Sequence, residues 1–221
     1  MKIVIACAGS KHGNYFQAVD GAKINFVAQP RKGQMEFRPD DPSDRQGKSW
    51  RDCLEDYNVS YIGSGDNPFG LSAAYELYSP RHPWNSIYQN LVNKFQAQNV
   101  FILSAGWGLI RSNYLLPRYD ITFAAQADPY KKRNMADNYN DFGHLKPVDG
   151  EKIVLFAGQA YLQLFQKLTR SMPAHRIVFF HGKLPSARLI NDCQPIPYPN
   201  GDNRTWYYAC AKDFIAGHIK C

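Results

Sequence analysis

Four short apolar runs, each of strand length and each stopped by a small or glycine residue, constrain this fold more than any other feature. They are residues 2–7 (KIVIAC), 99–104 (NVFILS), 152–156 (KIVLF) and 176–181 (RIVFFH). Unbroken β-branched and apolar runs of this length suit strands buried on both faces, the pattern of a parallel sheet covered by helices. Ahead of the second run, residues 84–97 carry Trp84, Ile87, Tyr88, Leu91, Val92 and Phe95 at helical spacing, with Pro83 where a helix start tolerates proline. Strand, amphipathic helix and strand in that order make a βαβ unit. Further helices are predicted near Tyr15–Val19 and over 48–56, 71–78, 161–168 and 203–217. The expected fold class is α/β: a single domain with a mostly parallel central sheet flanked by helices.

A chain of 221 residues is long for one minimal domain and short for two. Residues 21–70 differ in kind, being rich in Gly, Pro, Asp, Arg and Lys. They are expected to bury little and to form a polar insertion after the first strand–helix unit. With 26 Lys plus Arg against 19 Asp plus Glu, the net charge is +7, a field that attracts polyanions. DNA is therefore the expected partner, with Lys131, Lys132, Arg133 and Arg204 holding phosphates. A solvated basic face is the plainer reading of the same run. No apolar run approaches the roughly 18–20 residues of a membrane span. The N-terminal MKIVIACAGS is too short in its apolar part for a signal-peptide core. Five cysteines without a CxxC pair argue against zinc and against a disulfide framework, and fit a reducing cytoplasm. No metal or cofactor is expected: the six histidines show neither HxH nor HExxH spacing, and neither a Walker loop nor a GxSxG elbow occurs.

In open parallel sheets ligands bind outside the carboxyl ends of the strands. The four runs end in Gly9-Ser10-Lys11, Ser104-Ala105-Gly106, Ala157-Gly158 and His181-Gly182-Lys183. Such loops let backbone approach a ligand, and free N–H groups at helix starts favour anions, although any α/β protein has turns of this kind. The most informative segment is residues 103–123, LSAGWGLIRSNYLLPRYDITF. Pro117 stiffens a loop that delivers Arg118, Tyr119 and Asp120. Asp120 reads equally as a catalytic or base-reading carboxylate and as a turn cap or partner of Arg118.

This segment resembles the YaaA-like family. The match is carried by Leu103-Ser104-Ala105, Trp107-Gly108-Leu109 and Pro117-Arg118-Tyr119-Asp120, with Arg118 standing between the proline and tyrosine of the family pattern. Cys7-Ala8-Gly9-Ser10-Lys11, Leu77-Tyr78-Ser79 and Ala157-Gly158 with Tyr161 extend it over most of the chain outside 21–70 and the tail. The resemblance implies nucleic-acid binding and a link to DNA damage or base modification. A more limited resemblance is to the uracil-DNA glycosylase superfamily: Asn14 and Phe16 follow Gly9 in an early loop, and His181 to Arg188 follow a late strand. It implies base flipping and excision, and family context extends this to modified bases of bacteriophage DNA and antiviral defence.

Cleavage of an N-glycosidic bond builds positive charge on the sugar and negative charge on the departing base. On that reading Asp120 stabilises the sugar or activates water, and Asn14 positions the water. His181, Lys183 or Arg188 stabilises the base. Phe16, Trp107 or Tyr119 stacks on the flipped base, and Gly9, Ser10, Lys11, Ser104, Gly106 and Gly158 line the site. Each residue also has an ordinary structural role: His181 at a strand end, Trp107 in packing, Asn14 in a turn. Two other readings stand beside the glycosylase: a DNA-binding stress protein without catalysis, and an enzyme on free nucleosides or nucleotides.

Overall fold

A computed structural model describes residues 1–202 and 204–221. The chain opens with β1 (Lys2–Ala6), then β2 (Phe16–Gln17), β3 (Lys23–Val27) and β4 (Glu36–Phe37). Next come α1 (Trp50–Tyr61), β5 (Ser72–Ala73), the single turn α2 (Ala74–Leu77) and α3 (Ile87–Phe95). The middle of the chain holds β6 (Val100–Ser104), β7 (Gly108–Arg111), β8 (Leu115–Leu116), β9 (Tyr119–Asp120) and β10 (Phe142–Gly143). The last part holds β11 (Glu151–Phe156), α4 (Leu162–Thr169), β12 (Ala174–Phe180), β13 (Cys193–Pro197) and α5 (Trp206–Ala216). Asn203, where the last helix was expected to begin, lies outside the described residues.

The central sheet has the order β10-β7-β6-β1-β11-β12-β13. All its pairings are parallel except the hairpin of β6 with β7. The fold is thus α/β with a mostly parallel seven-stranded sheet, built on the four apolar runs. The period-2 alternation of β1 divides two cores. Ile3, Ile5 and Cys7 face one with α3 and α5, while Val4 and Ala6 face the other with α4.

Three strands of this sheet, β7, β10 and β13, escape the sequence patterns. β7 is the return arm of a tight hairpin, and Gly108 makes that possible. Its φ is +92°, and a Cβ there would lie 2.6 Å from the Phe142 carbonyl oxygen and 2.7 Å from its nitrogen, where β10 pairs. β13 contains Pro195 and Pro197, which are tolerated because it is an edge strand whose outer side needs no N–H.

Several local expectations are corrected. Tyr15–Val19 is not a helix: Phe16 pairs with Ile24 across β2 and β3, and so short a segment cannot repay helix nucleation. The helix expected over 71–78 is one turn, because Ser72 and Ala73 pair with β8. The expectation that 21–70 buries little also fails. Phe26, Trp50 and Leu54 are fully or almost fully buried in the core shared with α3 and α5. α1 runs past its expected end, started by a capping box in which Ser49 and Asp52 exchange hydrogen bonds. Its acidic residues Asp52, Glu55 and Asp56 are exposed while Trp50, Arg51, Cys53, Leu54 and Tyr57 pack inward. β3 pairs in parallel with β9, so this segment is the scaffold that holds Tyr119 and Asp120.

Candidate functional site

β1 is the centre from which the chain first crosses to β6 on one side and later to β11 on the other. Loops leaving β1 and β11 therefore part to opposite faces, which opens a crevice at the carboxyl edge. Cys7 and Tyr161 meet across it, sulfur to hydroxyl at 3.1 Å. Gly9 and Ser10 line a cavity of about 470 Å³ together with Arg81, His82 and Tyr207. Gly158, His181, Lys183 and Arg204 line a smaller one of about 170 Å³ beyond Tyr207 and Trp206. The two neighbour each other along the sheet edge, separated by the start of α5.

Lys11 is the least ordinary group at this edge. It is almost buried, bridges to Tyr78, donates to the Gly9 carbonyl at 3.2 Å and lies 4.3 Å from the centroid of the Tyr119 ring. Burial pushes its ammonium below the usual lysine pKa, opposed by Cys7 and Asp120 and assisted by Lys131 and Arg118. Asp120 is partly exposed and lies near Lys11 and Lys131, and Lys131 also pairs with Asp128 at 3.7 Å. Asn14 is next to them, its carbonyl accepting the Arg118 N–H at 2.8 Å. Its side-chain amide donates to the Phe69 carbonyl at 3.3 Å.

Beneath Asp120 a chain of buried hydroxyls fixes the loop. Ser104 Oγ lies 2.7 Å from Tyr119 Oη, which lies 2.8 Å from Tyr78 Oη, and the N–H groups of Gly106 and Trp107 donate to Ser104 Oγ. Burial raises both phenols well above the usual tyrosine pKa, so they are neutral hydrogen-bonding groups. Three consecutive carbonyls of the β6–β7 turn are then capped from below. Arg133 donates to Ala105 at 2.7 Å, and Arg51 donates to Gly106 and Trp107, each at 3.2 Å.

These contacts correct several residue expectations. Phe16, Trp107 and Tyr119 are fully buried and cannot stack on a flipped base. Phe16 packs edge-on against Trp50, Tyr57 and Phe69 instead. Ser104 and Gly106 do not line a ligand surface, since both are inaccessible and Gly106 abuts the Tyr119 ring. Arg133 is not a phosphate contact. Its guanidinium is buried, paired with Asp141 at 2.7 and 2.8 Å, and lies 3.8 Å from the Tyr139 ring centroid. Lys131 and Lys132 are half-exposed, and Lys183, Arg188 and Arg204 are exposed.

His181 stands apart from Asp120 and Asn14. Two interstrand spacings, about 10 Å, separate β12 from β1. His181 stacks on Trp206, and its Nδ1 lies 3.0 Å from the Tyr198 carbonyl oxygen. A carbonyl can only accept, so Nδ1 carries a proton. Reasoning from the sequence missed Tyr78, Tyr161 and Tyr207 as parts of this edge. The first two stood within the motifs matched to the YaaA-like pattern, while Tyr207 had no signal beyond its place in a helix. Among the described residues no group of three His, Cys, Asp or Glu is placed to hold a metal ion. No helix among them is long and apolar enough to cross a membrane.

A family model described as a family of unknown function (DUF6884) matches residues 64–188. That stretch contains Arg118, Asp120, Lys131, Gly158, His181, Lys183 and Arg188 but not Lys11 or Asn14. No curated protein and no solved structure matches the chain.

Proposed function

The chain belongs to DUF6884, a family of unknown function, and from that premise we propose that it is a DNA-acting N-glycosyl hydrolase. The observation that carries this reading is Asp120, a carboxylate placed near Lys11 and Lys131 where the loop after β1 meets β9. Cations there attract the phosphates of a nucleotide, and the carboxylate meets the positive charge that develops on its sugar. Water adds to C1′ as the C1′–N bond breaks, and the base departs with a proton. The base then lies toward the cavity lined by His181, Lys183 and Arg204, where the two cations donate to the charge on the leaving group. The net charge of +7 favours DNA over free nucleosides as the substrate. The resemblance to the glycosylase superfamily points the same way. Base excision, a role in defence against modified phage DNA, and a cytoplasmic setting all belong to this proposal.

The test incubates the protein with unmodified, uracil-containing and glucosylated hydroxymethylcytosine DNA. Alkaline cleavage reports abasic sites and mass spectrometry reports the released base. One substrate should release its base, and Asp120→Ala should slow release by about 10²–10⁴-fold. His181→Ala should slow it to a smaller degree. Binding without an abasic site on any substrate would replace this reading by that of a non-catalytic DNA-binding protein. Base release from nucleosides alone would move it to free nucleotides.

A further inference from the structure

A third cavity, of about 660 Å³, shares no lining residue with the two at the carboxyl edge and takes no part in the proposed reaction. It opens at the β10 edge of the sheet, between α1 and the strands β7 and β10. It runs from Phe142, which pairs with Gly108, to Arg111 on its rim, which pairs with Phe101 near the start of β6, at the opposite end of the strands from Ser104. Its size is that of a small-molecule site.

The walls are chemically unlike. α1 contributes Val59 and Ile62, and Val59 is 80% exposed although it is apolar. The sheet side contributes three rings in mutual contact: Tyr114 with His144 at 4.6 Å, Tyr114 with Phe142 at 5.5 Å and Phe142 with His144 at 5.0 Å between centroids. An aliphatic wall opposite a ring cluster accepts a flat heterocycle.

The polar groups are equally specific. Tyr114 is 3% exposed, yet its hydroxyl has no hydrogen-bond partner among the described residues, a state that proteins avoid unless a ligand or water fills it. Burial, with Arg111 and Lys146 nearby, pushes His144 down to about 4, so its ring is neutral at physiological pH. The Arg111 N–H points to its Nδ1 at 3.5 Å, a long contact that leaves Nε2–H as the donor. Arg111 and Lys146 are exposed cations on the rim. Two carboxylates also border the cavity. Asp141 is neutralised within the protein by Arg133 and Lys167, whereas Glu55 forms no ion pair among the described residues. Asn58 is consumed by Leu54 and Leu115 and only closes the floor. The ligand that this set describes is a flat ring bearing an anion at one end and a hydrogen-bond donor at the other.

We propose that this cavity binds a nucleoside monophosphate. The phosphate meets Arg111 and Lys146, the base lies between Val59 and Ile62 and the ring cluster, and Glu55 accepts from a sugar hydroxyl or an exocyclic amine. Guanidinium and phosphate match in charge and in donor geometry. The inference stands on this cavity alone and does not depend on the glycosylase reading.

Isothermal titration calorimetry with dAMP and dCMP tests it, using inorganic phosphate and L-tryptophan as comparison probes. At least one mononucleotide should bind about tenfold or more tightly than phosphate. Arg111→Gln should weaken that binding by about tenfold. Tyr114→Phe, which removes one hydroxyl and no packing, should weaken it by about threefold or more. Asp120→Asn, at the distant edge, should leave it within about twofold. The proposal is overturned by an absence of mononucleotide binding, by phosphate binding equally well, or by binding of L-tryptophan alone. It is also overturned if Asp120→Asn abolishes binding while Arg111→Gln does not, since the nucleotide then sits at the carboxyl edge.

Discussion

At the scale of single residues the edge of β1 and β6 is an arrangement of groups held in particular protonation states. Lys11 is the cation among them, nearly buried beside the Tyr119 ring. Its ammonium has an ordinary pKa of 10.5, lowered in the fold chiefly by burial. Between the lowered and the ordinary value the unfolded chain binds more protons than the folded one, so the native state gains stability as pH rises through that window. Lys11→Met keeps the aliphatic volume and removes the titration. The variant should be more stable than the wild type at pH 7, and its advantage should shrink as pH approaches 10; urea unfolding across that range reads the difference. An advantage that grows with pH would contradict the burial argument. Lys11, Arg118 and Asp120 could be singled out in the sequence from their residue types beside a strand end. That Phe16, Trp107 and Tyr119 face inward could not. An aromatic in a loop has the same local sequence whether it stacks on a ligand or on Trp50 and Phe26.

At the scale of elements, the β6–β7 hairpin is the joint on which the site rests. The buried carbonyls of Ala105 and Gly106 in its turn are met by Arg133 and Arg51, while Trp107 also accepts from the Phe142 N–H at 2.9 Å. Arg51 is itself held by Asp40, at 2.6 and 3.2 Å. Arg51→Met should therefore cost about 3–5 kcal/mol, because it leaves the largely buried Asp40 carboxylate without its cation and the Gly106 carbonyl without its donor. The midpoint of urea denaturation measures this, and a loss under about 1 kcal/mol would show that the turn is held by other means. The strand of each predicted βα unit was visible in sequence because a buried strand needs only its own apolar run. β7, β9 and β10 were not visible. They are short, and they are strands only because Gly108, β3 and one another supply the hydrogen-bond partners.

At the scale of the whole molecule, a net charge of +7 has a measurable consequence for DNA affinity. If Arg118 and Lys131 each neutralise a phosphate, replacing either by glutamine should reduce the slope of log affinity against log salt by about 1. Affinity should fall alike on all sequences. Fluorescence anisotropy with a labelled duplex at several salt concentrations gives the slope. An unchanged slope in both variants would remove the carboxyl edge from the DNA interface. Arg133→Gln belongs with the stability variants, because its charge is spent on Asp141 inside the protein.

The order of apolar runs, their burial on both faces and the small residues that stop them were sufficient for the α/β class and the parallel centre of the sheet. These properties arise from local composition and from the handed, short-range connections available to a chain. Only the tertiary structure decided that residues 21–70 form the bed of Asp120, that one arginine of a Lys-Lys-Arg run turns inward, and that a ring-lined cavity faces α1 at the far edge. Each of these depends on partners distant in the chain: β3 for β9, Asp141 for Arg133, and α1 for the cavity wall. Burial and pairing are properties of the contact, and one side of a contact does not specify the other.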